Sequence, residues 1–263
     1  MASNDALKDV LRKLVAANHI LHLHGAVDGF GHVSVRHPQN PSVYIMCGYM
    51  PPALVETEKD LIEYHVDGST PVHPDAPKGY SERFIHGELF KRYPEIQAVV
   101  HSHAEAVQPY TAGVDVALSP MIHMAGFLGG DVKVWDITPE YQEPYQQDML
   151  VNNEALGASL AEAFSNSGKL DETVVLMKRH GYTTFGPDIE TAVYRAIYTL
   201  INAGVQTRAL TIQNGAGITA SKVTGLNARQ AQDCRKMTEA TQDKAWRLWT
   251  REVERNPLYT NGI

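Results

Sequence analysis

Two histidines separated by a single residue lie in the segment AVVHSHAEAV, residues 98–107. The apolar, β-branched run before them predicts a buried strand, in which side chains two positions apart point to the same face. His101 and His103 are therefore expected to project together, with Ser102 on the opposite face. Two imidazoles on one face supply half of a metal site, although two solvated histidines at a strand end would give the same pattern.

A third histidine, His180, ends the β-branched run TVVLMKRH and is followed by Gly181, which permits a tight turn. Three neutral imidazoles suit Zn²⁺, the first choice here, and also Mn²⁺, Fe²⁺ or Co²⁺. Three protein ligands leave coordination positions open, which is typical of catalytic rather than structural metal sites. Taken alone, His180 would equally fit a hydrogen-bonded histidine at a strand end.

An acidic residue, Glu82, is the candidate for proton transfer beside this metal. It lies at the start of a helix predicted over residues 81–93, capped by Ser81, which leads into the histidine-bearing strand. A helix followed by such a strand brings the chain back toward the start of the helix, so the Glu82 carboxylate can face the metal. A glutamate in a first helical turn also complements the helix dipole, and periodicity does not separate the two interpretations.

The elements that must position these residues follow the pattern of a single α/β domain with helices around a central sheet. The pattern favours an amphipathic first helix, a long helix beginning after Asp188 and a final helix over residues 227–255. Alternating or apolar runs predict the strands HVSVRH, SVYIMCG, LIEYHVDG and YTTFG, with the breaker PQNP between the first two.

Composition excludes several classes of function. The 263 residues carry a formal net charge of −7 without a run of lysines or arginines, which argues against binding to nucleic acid or to an anionic membrane surface. No apolar stretch approaches the ~18 residues of a membrane span. Two widely separated cysteines, Cys47 and Cys234, fit a reducing compartment, and we expect a cytoplasmic protein.

Several motifs in order resemble the class II aldolase/adducin family: GHVSVR (31–36), SERFIHGELFKRYPEIQAVVHSHA (81–104) and LMKRHG (176–181), followed by AVYRAIY in a long helix. The resemblance covers a motif-bearing core of about residues 5–210, with a helical extension of about 211–263. It implies one α/β/α layered domain over residues 1–263 with a mainly antiparallel central sheet. It also implies that His101, His103 and His180 bind a divalent metal, that Glu82 transfers a proton, and that the protein is a homotetramer with sites at subunit boundaries.

The departures from the sugar-phosphate aldolases of that family concern the phosphate-binding positions. His32 replaces an asparagine, Tyr49 and Met50 replace a Thr-Gly pair, and Tyr80 replaces the first of two serines, whereas Ser81 keeps the second. The change to larger aromatic and apolar side chains predicts a non-phosphorylated carboxylate as the small-molecule substrate. The expected substrate-binding residues are His32, Tyr49, Ser81 and His123, the last lying near the position where such aldolases receive a tyrosine from an adjacent subunit.

The combination of GHVSVR, ERFIHGE, AVVHSH and HMAGFLGG is most similar to the family's decarboxylases of hydroxylated aromatic or pyridine dicarboxylates. It implies a metal-dependent carbon–carbon lyase that decarboxylates a hydroxy-aromatic, hydroxy-pyridine or β-keto acid through a metal-stabilised enolate or phenolate. Aldol or retro-aldol cleavage of a non-phosphorylated substrate is the alternative within the same chemistry. A three-histidine Fe²⁺ oxygenase and a non-catalytic, adducin-like assembly module are further alternatives, and retention of all three histidines and Glu82 argues against the module.

Overall fold

A computed structural model describes residues 2–166, 168–215, 217 and 222–263. Within these ranges the chain forms seven strands and seven α-helices. The strands are β1 (His32–Arg36), β2 (Val43–Cys47), β3 (Leu61–His65), β4 (Ala98–Ser102), β5 (Val134–Trp135), β6 (Val174–Met177) and β7 (Gly181–Gly186). The helices are α1 (Ala2–Leu23), α2 (Arg83–Arg92), α3 (Gln108–Thr111), α4 (Glu154–Ala163), α5 (Ile189–Gly215), α6 (Ala228–Glu239) and α7 (Asp243–Arg255).

The strands form one sheet in the order β3-β2-β1-β4-β7-β6-β5. Every neighbouring pair is antiparallel except β5 and β6, which run parallel. In the centre of the sheet, His32 of β1 lies opposite His101 of β4, and His101 lies opposite Thr183 of β7. This register places three side chains of the candidate site next to one another on adjacent strands.

Apolar residues lie on both faces of the sheet, so each face needs a layer of helices. One core contains Val33, Val100 and Tyr182 of the central strands together with residues of α1, α5 and α7. The other contains Val99 and Phe185 together with residues of α2 and α4. The result is an α/β/α layered domain with a mainly antiparallel sheet, as the family resemblance implied.

Two predicted helix boundaries are wrong. Ser81 is not the cap of the helix before β4, because α2 begins at Arg83 and Glu82 occupies the cap position. The single final helix is instead two helices, α6 and α7, separated by a turn at residues 240–242. Helix α6 packs on the segment His123–Leu128. Helix α7 packs beside α1 and buries Trp249 in the core. The turn between the two helices lets each reach its own packing surface.

None of the helices in the described part of the chain is both long and apolar enough to span a lipid bilayer. Cys47 and Cys234 are both free thiols.

Candidate active site

The site is built at one end of the three central strands, on the sheet face covered by α2 and α4. His101 is the fourth residue of β4, His103 follows the end of that strand, and His180 immediately precedes β7. Gly181 allows these two strand ends to meet, because a Cβ atom at this position would lie 2.1 Å from the Ser102 carbonyl oxygen. The tight approach of β7 to β4 therefore depends on a residue without a side chain.

Three imidazole nitrogens converge at this point. The Nε2 atoms of His101 and His103 are 2.8 Å apart, and those of His103 and His180 are 3.0 Å apart. Glu82 completes the cluster, with its carboxylate oxygens 3.6 Å from His101 Nε2 and 3.6 Å from His180 Nε2. One ligand atom from each of the four residues lies within 4.8 Å of all the others. The structure thus brings together all four residues that the sequence singled out for metal and proton chemistry.

This donor set fits a divalent metal ion. An ion about 2.0–2.1 Å from each of three nitrogens holds them roughly 3.0–3.4 Å apart, close to the observed spacing. Without an ion, the three nitrogens cannot satisfy one another, because each neutral imidazole offers only one N–H group and one lone pair. Burial lowers the pKa of His101 well below its usual value and also lowers that of His103, and nearby histidines act in the same direction. Both rings are therefore neutral and able to act as ligands near pH 7.

Contacts outside the cluster position the ring of His101 and the backbone of His103 and His180. His101 Nδ1 lies 3.3 Å from Thr183 Oγ1 on the neighbouring strand. The side-chain amide of Gln108 in α3 donates hydrogen bonds to the backbone carbonyl oxygens of His103, at 3.2 Å, and His180, at 2.8 Å. Gln108 therefore ties the two loops together at the cluster, as is typical of residues that surround metal ligands.

Glu82 faces the histidines and takes no part in capping its helix. The residue is 5% exposed, and its side chain makes no capping hydrogen bond to α2. Instead, the backbone N–H of Val151 donates to Glu82 Oε1 at 3.0 Å. Of the two interpretations of this residue, the geometry favours the one in which its carboxyl group serves the cluster.

His32 lies beside the cluster but outside it. Its Nε2 atom is 3.9 Å from Glu82 Oε2, and its ring centroid is 5.0 Å from that of His101. Its Nδ1 atom points away from the cluster, toward His86 Nε2 at 2.7 Å. Burial lowers the pKa of His32 well below its ordinary value, and the adjacent His86 lowers it further, so the ring is neutral.

The other predicted substrate residues lie farther out. Tyr49 is 59% exposed, and its ring centroid is 6.0 Å from that of Tyr80, which in turn packs 4.7 Å from the ring of His32. Tyr49 and Ser81 line an open cleft of about 580 Å³ together with Tyr64, Pro71, Pro77, Lys78, Gly79 and Arg83. A row of aromatic rings thus leads from this cleft to the cluster.

His123 is not brought to the cluster of its own chain. It is exposed at the start of the segment His123–Leu128, which packs against α6, and no described contact joins it to the four clustered residues.

Sequence reasoning missed His86, Gln108 and Val151. Only His86 left a usable signal, since it lies four positions after Glu82 at a helical spacing that puts both residues on one face. Gln108 binds the backbone carbonyl oxygens of His103 and His180, and Val151 donates its backbone N–H to Glu82 from a loop far away in the chain. No local sequence pattern reveals either contact.

The comparison with known families agrees with this geometry. Residues 12–206 match the class II aldolase and adducin N-terminal domain. The chain belongs to this family. It is 42% identical to the decarboxylase tropJ of Talaromyces stipitatus over 257 residues, 95% of this chain and 96% of that protein. It is 29% identical to a 3,4-dihydroxyphthalate decarboxylase of Arthrobacter keyseri over 73% of this chain and 75% of that protein. The predicted family and its decarboxylase branch are confirmed, and the chain is an enzyme of the lyase class.

Solved structures show the same fold. An aldolase II superfamily protein from Pseudomonas syringae has a TM-score of 0.70 at 20% identity, covering 95% of this chain and 94% of that one. An L-fuculose 1-phosphate aldolase from Glaciozyma antarctica has a TM-score of 0.69 at 20% identity, covering 98% of this chain and 94% of that one.

Proposed function

We propose that the protein is a metal-dependent decarboxylase of a non-phosphorylated hydroxy-aromatic, hydroxy-pyridine or β-keto acid. The observation that carries the proposal is the cluster of Glu82, His101, His103 and His180, found in a chain similar over nearly its whole length to a decarboxylase. His101, His103 and His180 would hold a divalent ion, with Zn²⁺ the first candidate and Mn²⁺, Fe²⁺ and Co²⁺ the others.

Decarboxylation leaves an electron pair on the carbon that loses CO₂, and the charge must be delocalised onto a neighbouring oxygen. A bound divalent ion supplies the positive charge that stabilises such an oxygen. The protein must then deliver one proton to the carbon. Glu82 would hold that proton, since its carboxyl group is buried at the cluster and oriented by the Val151 N–H.

Charge in the outer cleft supports a carboxylate substrate. Lys78 and Arg83 line the cleft, and none of the described residues that line it is acidic. Among the described residues, neither cation has a carboxylate within 4.0 Å; Lys78 Nζ lies 4.2 Å above the Tyr49 ring, and Arg83 donates to backbone carbonyl oxygens. An anionic aromatic acid would meet positive charge and ring faces on its way to the cluster. We assign substrate binding to His32, Tyr49 and Ser81.

We further propose a homotetramer in which the exposed His123 serves the site of a neighbouring subunit, since it does not reach the cluster of its own chain. Light scattering gives the subunit number. A monomer that turns over substrate as fast as the assembly would rule out this role for His123.

The deciding experiment uses untagged protein loaded with Zn²⁺ or Mn²⁺ and a panel of 3,4-dihydroxyphthalate, hydroxypyridine carboxylates, a β-keto acid and L-fuculose 1-phosphate. We expect metal-dependent CO₂ release from at least one carboxylate and no useful cleavage of the sugar phosphate. Cleavage of the phosphate at a kcat/KM of about 10⁴ M⁻¹s⁻¹ or more would overturn the proposal in favour of aldol chemistry. Protein that binds no metal would overturn it in favour of an assembly module.

A further inference from the structure

A string of three buried polar side chains lies directly behind the cluster. Ser34 Oγ is 2.6 Å from His86 Nδ1, and His86 Nε2 is 2.7 Å from His32 Nδ1. Ser34 and His86 are fully buried, and His32 is 2% exposed. The string joins β1 to α2 and ends at the His32 Nε2 atom, which faces Glu82 Oε2 at 3.9 Å. Neither Ser34 nor His86 is a candidate metal ligand.

The hydrogens in this string can run in only two directions, because a neutral imidazole has one N–H and one lone pair. In the inward direction, the Ser34 hydroxyl donates to His86, His86 donates to His32 Nδ1, and His32 carries its proton on Nε2, toward the site. In the outward direction every donor is reversed, and His32 presents a bare lone pair to the site. Burial lowers the pKa of His86 to about 3, which keeps its ring neutral in both cases.

Two observations select the inward direction. The first is Glu82, whose carboxylate, in the ionised form that precedes uptake of the transferred proton, attracts an N–H group on His32 Nε2 and repels a lone pair there. The second is Ser34, whose Oγ atom contacts no other hydrogen-bond partner among the described residues. In the outward direction its hydroxyl hydrogen would be buried without an acceptor, which is costly.

We propose that His86 is a positioning residue that fixes His32 as the Nε2–H tautomer, so that His32 offers a neutral hydrogen-bond donor to an anionic oxygen of the substrate. This inference rests on the proposed function for the identity of the substrate, but the tautomer of His32 can be measured without turnover. A donor fixed in this way does not need to be charged, and it therefore adds no positive charge beside a bound cation.

The test compares His86→Gln, His86→Leu and Ser34→Ala in the Zn²⁺-loaded enzyme. A glutamine amide can replace the Nε2–H donor of His86, whereas leucine removes it. Long-range ¹H–¹⁵N correlation spectra of histidine-labelled protein report the tautomer of His32, whose signals are identified by their loss in His32→Gln. Wild type and His86→Gln should show His32 protonated on Nε2, and His86→Leu should show a mixture of tautomers or the Nδ1–H form.

Kinetics provide the second readout. The substrate is the carboxylate of the panel above from which the wild-type enzyme releases CO₂. We expect its kcat/KM to fall about 10-fold or more in His86→Leu and to stay within about threefold of wild type in His86→Gln. If His86→Leu fails to fold or to retain zinc, Ser34→Ala carries the test, and it should move the tautomer in the same direction. An Nδ1–H tautomer of His32 in the wild type, or equal losses in the glutamine and leucine variants, would overturn the inference. Absence of CO₂ release with the Nε2–H tautomer in place would instead overturn the proposed function alone.

Discussion

Two histidines of the cluster, His101 and His103, are held in the neutral state that a metal ligand would need. Burial lowers the pKa of His101 and His103, so at pH 7 each ring is neutral, with one N–H group and one nitrogen lone pair that can bind an ion. The cost of burying these rings is offset when one cation accepts all three lone pairs. The three histidines are therefore expected to bind one ion together, and removal of any one should weaken the binding of the ion by the other two.

We expect His180→Ala to reduce the metal content of the purified protein from about one ion per subunit to a small fraction, and to abolish turnover. Two imidazoles hold a divalent ion far more weakly than three. Elemental analysis after dialysis against a weak chelator measures the effect. His73→Ala is the matched control, because its side chain is 74% exposed and remote from the cluster. Full metal occupancy in His180→Ala would remove this residue from the site.

The substitution Glu82→Gln removes the ionisable carboxyl group and keeps nearly the same side-chain volume. If Glu82 transfers the proton, this variant should keep its metal and its fold and lose on the order of 10²-fold or more in kcat. If Glu82 only complements the dipole of α2, the variant should lose about 0.3–1 kcal/mol of stability and keep normal turnover. Metal content and kcat are measured on the same sample, so that loss of a ligand is not mistaken for loss of the proton donor.

The cluster residues could be predicted from the sequence because their signals are local or motif-based. His101 and His103 share a face by strand alternation, and Glu82 lies in the helix that leads into the same strand. His86 and Gln108 could not be assigned a role in the same way. Their contacts join residues far apart in the chain, and only the folded structure shows which atoms meet.

At the scale of elements, the site depends on how closely β7 approaches β4. Gly181 lies opposite the Ser102 carbonyl, and the preceding Arg179 has a left-handed backbone conformation, with φ of 57°. This tight connection turns the chain so that His180 faces His103. The positive φ at a residue other than glycine is a local strain, which the surrounding strand pairing holds in place.

Gly181→Ala should therefore damage the site without replacing any of the proposed metal ligands. Its Cβ atom would lie 2.1 Å from a backbone oxygen, so the strands must separate, at a cost of about 1–3 kcal/mol in unfolding free energy. We expect a lower thermal midpoint and weaker metal binding, measured by unfolding scans and metal titration. Gly130→Ala is the control, because nothing lies within 4 Å of its added Cβ. Equal behaviour of the two variants would show that β7 and β4 tolerate the extra atom.

Strands and layers were more predictable than helix boundaries. Alternation in HVSVRH and apolar runs such as AVVHS fix which residues face each core, and the observed register follows them. The start of α2 was misplaced because Ser81 has the residue type of a helix cap, whereas the position is set by the tertiary contact between Glu82 and Val151. The turn between α6 and α7 likewise reflects two separate packing surfaces rather than a break in helical pattern.

At the scale of the whole molecule, four imidazole rings lie against one another at the sheet face covered by α2 and α4. Burial lowers the pKa of His32, His86, His101 and His103 below the ordinary value of about 6.5. Each of these rings is neutral in the folded protein and gains a proton on unfolding in mildly acidic solution. The four contributions have the same sign, so each makes the free energy of unfolding fall as the pH falls below about 6.5.

His86 provides a measurable share of that sensitivity. Its pKa is about 3 in the folded protein and about 6.5 when unfolded, so between these values the unfolded state binds more protons and stability falls as the pH falls. His86→Gln removes this titration while leaving the proposed metal ligands unchanged. Relative to wild type, the variant should therefore gain roughly 2 kcal/mol in unfolding free energy between pH 7.5 and pH 5, whatever its stability at pH 7.5. Urea unfolding at a series of pH values, with both proteins in the same metal state, measures the difference. Parallel stability curves for the two proteins would show that His86 is not held neutral by the fold.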